Sequence, residues 1–137
     1  MDLRSVEVIG NHVGLRLTTV AGAASSASLD GLSVTTNASH GVRVTNVSTF
    51  LRNTRVADNV GDGLRFEGRP PSLQVGAGTV LEQNNGTQLV DLRDANQGTF
   101  RVSRYALAGV SVGTYIGPAQ QGNVYSIQSA GNGFIVE

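Results

Sequence analysis

An internal repeat constrains this chain more than any other feature, because a short unit recurring along a sequence cannot bury its apolar face alone and must stack on its neighbours. The run from Val56 through Asn59, Gly63 and Leu64 to Phe66 aligns without a gap on the run from Val34 through Asn37, Gly41 and Val42 to Val44. It also aligns on the run from Ser126 through Ser129, Gly133 and Phe134 to Val136. A copy one residue shorter passes from Val8 through Asn11, Gly14 and Leu15 to Leu17. Looser copies run from Leu81 through Asn84 to Leu89 and from Val102 through Gly109 to Val112, which makes six units. The first apolar residue after each turn falls at Leu15, Val42, Leu64, Leu89, Val110 and Phe134, at spacings of 27, 22, 25, 21 and 24. One coil of roughly 24 residues suits a three-sided β-solenoid.

Before each turn two positions alternate: Val6 and Val8, Leu32 and Val34, Thr54 and Val56, Thr79 and Leu81, Phe100 and Val102, Val124 and Ser126. After it a second pair alternates, as at Leu15 and Leu17, Val42 and Val44, Leu64 and Phe66, Val110 and Val112, and Phe134 and Val136. Period two means strand, so each coil supplies two strands that face one core. The linking segments differ in length, and the third side is therefore read as irregular. Leu73 and Val75 alternate there like a strand, whereas the Ala and Ser run from Ala21 to Ser28 reads as a loop with no core-facing pattern. The expected fold is an all-β, right-handed parallel β-helix of about six coils, in one domain over residues 1–137. No capping segment precedes Val6 or follows Val136. Bare ends suggest a segment of a longer protein, or ends covered by partner chains.

The repeated pattern of Asn, a small residue, Gly and alternating apolar residues resembles the right-handed parallel β-helix superfamily. That superfamily includes pectate lyases, alginate epimerases, periplasmic carbohydrate-binding β-helices and phage tailspikes. The resemblance implies a polysaccharide-recognising or polysaccharide-processing module, with a structural segment of a homotrimeric tailspike or surface fibre as the alternative. It also favours an extracellular or virion-associated location. Whether such a module is catalytic is left open, since fold does not imply function.

Composition narrows the partners. Ten Arg balance ten Asp plus Glu, and Lys is absent, so no global field draws the molecule to nucleic acid or an anionic membrane. No apolar run reaches the roughly 18 residues of a membrane span. Without Cys there are neither disulfides nor thiolate metal sites. No metal-binding or phosphate-binding motif is present, and no cofactor is expected.

Stacking turns each repeat position into a column, with members about 4.8 Å apart. Asn11, Asn37, Asn59 and Asn84 are expected to form an amide ladder at a turn where Asn tolerates left-handed backbone. Gly14, Gly41, Gly63, Gly109 and Gly133 mark either positive φ or close backbone approach. Arg16, Arg43 and Arg65 should point outward in adjacent coils, where like charges repel by roughly 1 kcal/mol per pair in water. Neighbouring carboxylates such as Glu67, solvent, or an acidic polysaccharide would relieve that repulsion. His40 and Asp62 precede their turn glycines and can meet across coils, either as an acid/base pair or as an ordinary ion pair. Asp91 stands where other coils place an apolar residue; a register shift there costs less than an inward carboxylate. Asp58, Asp62, Glu67, Glu82, Asp91 and Asp94 supply the carboxylates from which a glycosidic pair would be drawn.

Overall fold

The computed structural model describes residues 1–69, 72–76 and 78–93, and beyond them the backbone of the strands Phe100–Val102, Tyr115–Ile116 and Phe134–Val136. Four full turns of a parallel β-solenoid occupy the first part, with three short strands in each. They are β1 (Asp2–Arg4), β2 (Glu7–Ile9) and β3 (Leu15–Thr18), then β4 (Ser26–Asp30), β5 (Ser33–Thr35) and β6 (Val42–Thr45). The third turn holds β7 (Ser48–Arg52), β8 (Arg55–Ala57) and β9 (Leu64–Gly68), and the fourth β10 (Leu73–Val75), β11 (Val80–Glu82) and β12 (Leu89–Arg93). Equivalent strands pair in parallel, in register, to build three walls. No helix occurs among the described residues.

Inward positions from all three walls fill the lumen. Leu29 lies beside Leu51 and Leu51 beside Val75 in the first sheet, Val34 beside Val56 and Val56 beside Leu81 in the second, and Val42 beside Leu64 and Leu64 beside Leu89 in the third. All are buried. Each such side chain contributes roughly 1.5–3 kcal/mol relative to exposure, which is how a chain without disulfides holds its turns together.

The third side is a regular wall rather than an irregular one. It is the first sheet of the structure, ordered β1-β4-β7-β10 and continued by β13 (Phe100–Val102) and β15 (Phe134–Val136). The Ala and Ser run is a loop only as far as Ser25: Ser26–Asp30 is a strand, with Ala27 and Leu29 buried. Weakly apolar inward residues, Ala27 and Thr49, had masked its period.

The later coils also depart from expectation. Phe100–Val102 pairs with β10 on the first wall, not on the second, and Phe134–Val136 pairs with Phe100–Val102. Phe134 therefore does not join the column of Leu15, Val42, Leu64 and Leu89, whose wall is extended instead by β14 (Tyr115–Ile116). Val110, Val112, Val124 and Ser126 lie outside the described residues, as do the turn glycines Gly109 and Gly133.

The amide ladder runs through the second, third and fourth turns. Asn59 Oδ1 accepts from the backbone N–H and the side-chain amide of Asn37, at 3.1 and 2.8 Å, and Asn84 Oδ1 does the same for Asn59, at 3.2 and 2.7 Å. The Asn84 amide donates to Gln88 Oε1 at 2.6 Å, and Gln88 Nε2 donates back to the Asn84 carbonyl. Gln88 thus ends the ladder, and the second sheet stops at β11 among the described residues.

The glycine column follows from the same ladder. A Cβ on Gly63 would fall 2.7 Å from Asn84 Nδ2, and one on Gly41 would fall 2.8 Å from Asn59 Nδ2 and overlap Val56. Close approach, not positive φ, is what Gly41 and Gly63 provide. Left-handed backbone sits one residue before each ladder Asn, at Gly10, Thr36, Asp58 and Gln83, and not at the Asn itself.

Among the described residues one buried side-chain polar atom is unsatisfied. Thr79 Oγ1 has no hydrogen-bond partner, whereas Thr54, one turn earlier, accepts from Leu32 N–H and donates to the Arg52 carbonyl. Thr79→Val is therefore expected to raise the free energy of unfolding by about 1 kcal/mol in urea titration. A loss of stability would mean that the hydroxyl is bonded.

Candidate functional site

On the third wall, strand pairing sets Arg16 beside Arg43 and Arg43 beside Arg65. Pleating turns all three away from the lumen, because Leu15 and Leu17, Val42 and Val44, and Leu64 and Phe66 take the inward positions. Two of the three cations are neutralised. Arg43 donates to Glu67 Oε2 from Nη2 at 2.8 Å and from Nε at 3.1 Å. Arg65 donates from Nε to Glu67 Oε1 at 2.6 Å and from Nη1 to Asp62 Oδ2 at 3.0 Å. Burial pushes the Glu67 carboxyl up, but the hydrogen bonds and charges of Arg65 and Arg43 outweigh it and hold the group below its ordinary pKa. The stabilisation this supplies is in force above the ordinary carboxyl range and is lost as pH falls through the lowered folded-state value. Arg16 is exposed and makes no ion pair or hydrogen bond among the described residues.

His40 and Asp62 come together across successive turns. The Asp62 backbone N–H donates to His40 Nδ1 at 3.1 Å, and Asp62 Oδ2 lies 3.3 Å from the same nitrogen. Asp62 is itself engaged: Oδ1 accepts from Thr87 N–H and Oδ2 from Arg65. The arrangement ties one turn to the next through His40, Asp62 and Arg65.

Asp58 and Glu82 are also bridged by arginine. Arg55 joins Asp58, at 3.3 Å, to Glu82, at 2.8 Å. Asp94 lies outside the described residues.

Asp91 corrects an expectation. No register shift occurs: Asp91 pairs with Phe66 in register and turns its carboxylate into the lumen. Arg93, two residues on and therefore on the same face, donates to Oδ1 from Nε and to Oδ2 from Nη2, both at 2.8 Å. Their side chains are 1% and 0% exposed. Two parallel charge-assisted hydrogen bonds offset the burial cost that had made an inward carboxylate look unfavourable. The signal was the spacing of the two charges by one strand period.

The outer face of the first sheet carries a feature absent from the sequence reading. Ser28, Phe50 and Gln74 form an outward column, since Phe50 pairs with Ser28 on one side and with Gln74 on the other. Phe50 is 41% exposed. Around it Ser28, Arg52, Asn53, Gln74 and Gly76 line a groove of about 530 Å³. Asp30 fixes the rim, accepting from Asn53 Nδ2 at 2.9 Å and pairing with Arg52 at 3.0 Å. The alternation of Thr49 and Leu51 with Phe50 would have revealed the column, had this segment been read as a strand.

No cluster of three or more metal-ligating side chains occurs among the described residues, and no helix there is long and apolar enough to cross a membrane. No protein-family model, curated protein or solved structure matches the chain.

Proposed function

We propose that this chain is a polysaccharide-recognition module that holds a glycan against the outer face of the first sheet. The exposed Phe50 ring in its polar groove carries this reading. A pyranose offers a face of C–H groups that packs on an aromatic ring, while its rim hydroxyls need planar donors and acceptors. Gln74, Asn53 and Arg52 supply both kinds of group around Phe50. The regular wall beneath fixes the ring and its neighbours before any ligand arrives, which lowers the cost of binding. The resemblance of the repeat to polysaccharide-handling parallel β-helices, and the extracellular or virion-associated setting it implies, supports the same reading by analogy.

In the alternative, a homotrimeric fibre, Phe50 would meet a neighbouring protomer. An interface core needs several apolar residues together, and the other outward residues of β4, β7 and β10 are Ser, Asp, Arg and Gln. That composition favours a sugar. The test is a glycan array followed by titration of wild type and Phe50→Ala. The variant is expected to keep its circular dichroism spectrum and lose about tenfold or more in affinity. Equal affinity, an array with no retained glycan, or a stable trimer with Phe50 buried would overturn the proposal.

A further inference from the structure

The arginine column ends in one cation without a partner. Arg43 and Arg65 share Glu67, and Arg65 also holds Asp62, but Arg16, in the first turn, faces a cleft of about 590 Å³. Thr18, Ser25 and Ser26 bring hydroxyl groups to that cleft, and Leu17 and Val47 form part of its lining. No carboxylate lines it. A guanidinium among hydroxyls matches a carboxylate in charge and in planar two-point geometry.

The cleft also has a fixed relation to the Phe50 groove. Ser26 and Ser28 both point outward from β4; the first lines the Arg16 cleft and the second lines the groove. Two residues of strand separate their Cα atoms by about 7 Å. One extended ligand crossing β4 therefore meets both.

We propose that Arg16 marks a subsite for the carboxylate of an acidic sugar residue, on the same glycan that packs on Phe50. The inference rests on the glycan reading above. It assigns the column's charge recognition to Arg16 and leaves Arg43 and Arg65 as members of an ion-pair network. The experiment is isothermal titration with hexuronate oligosaccharides and with the same oligosaccharides after carboxyl reduction, using wild type, Arg16→Gln and Phe50→Ala. Wild type is expected to prefer the carboxylated form by about tenfold at low salt, with the preference shrinking as salt rises. Arg16→Gln is expected to bind both forms with the affinity that wild type shows for the reduced one. If Arg16→Gln keeps the full preference while Phe50→Ala loses both forms, the subsite is wrong and the glycan reading stands. If Phe50→Ala binds both forms like wild type, or wild type binds neither, the glycan reading fails and takes the subsite with it.

Discussion

A Leu64→Asp variant is expected to lose its cooperative fold. Leu64 is fully buried between Val42 and Leu89 in the third wall, so the new carboxylate has neither water nor a cationic partner in the lumen. Burying an unpaired charge costs several kcal/mol, a large part of the 5–15 kcal/mol by which an ordinary domain is stable. The contrast with Asp91 is instructive, because that carboxylate brings Arg93 with it. Val56→Asp should behave alike, since Val56 is as deeply buried between Val34 and Leu81. Circular dichroism and size-exclusion chromatography read the outcome. A soluble variant with a native spectrum would show that these positions do not face the lumen.

The amide ladder gives the second large effect, and it is graded by position. Asn59→Ala removes a side chain that accepts from Asn37 N–H and Nδ2 and donates to the Val34 carbonyl and Asn84 Oδ1. The partners are buried, and an unsatisfied buried group costs about 1–3 kcal/mol, so a loss of about 3 kcal/mol or more is expected. Asn11→Ala should cost under about 1 kcal/mol, because the Asn11 side chain is exposed and its amide donates only to the Ile9 carbonyl. Urea denaturation of both variants decides the matter. Equal costs would mean that the ladder does not carry the turns.

Much of the fold was legible because the repeat places strong signals where packing demands them. Val34, Val42, Leu64 and Phe66 are large, apolar and spaced by two, and they do face the core. The Asn and Gly columns were legible for the same reason, as each is required by the turn stacked on it. The first sheet was hidden because Ala27 and Thr49 fill inward positions without an apolar signal, and because linkers of unequal length blurred its register. The copy ending at Phe134 and Val136 looked like the others in sequence alone. Its strand joins the first wall instead, beyond the point where Gln88 ends the ladder.

The site was less legible than the fold. The column of Arg16, Arg43 and Arg65 and the meeting of His40 with Asp62 followed from register. Glu67, named in the sequence reading as a carboxylate near the column, does bond Arg43 and Arg65, whereas the bond from the Asp62 backbone N–H to His40 Nδ1 could not be read from register alone. Phe50 escaped notice since its outward direction depends on a strand that the sequence did not announce.

Mapping amide chemical-shift changes during titration with a retained hexuronate oligosaccharide tests the functional account most directly. Ser28, Phe50, Arg52, Asn53 and Gln74 on the first sheet should shift together with Arg16 at the neighbouring cleft. Shifts confined to Arg43 and Arg65 on the third sheet, or none at saturating ligand, would contradict it.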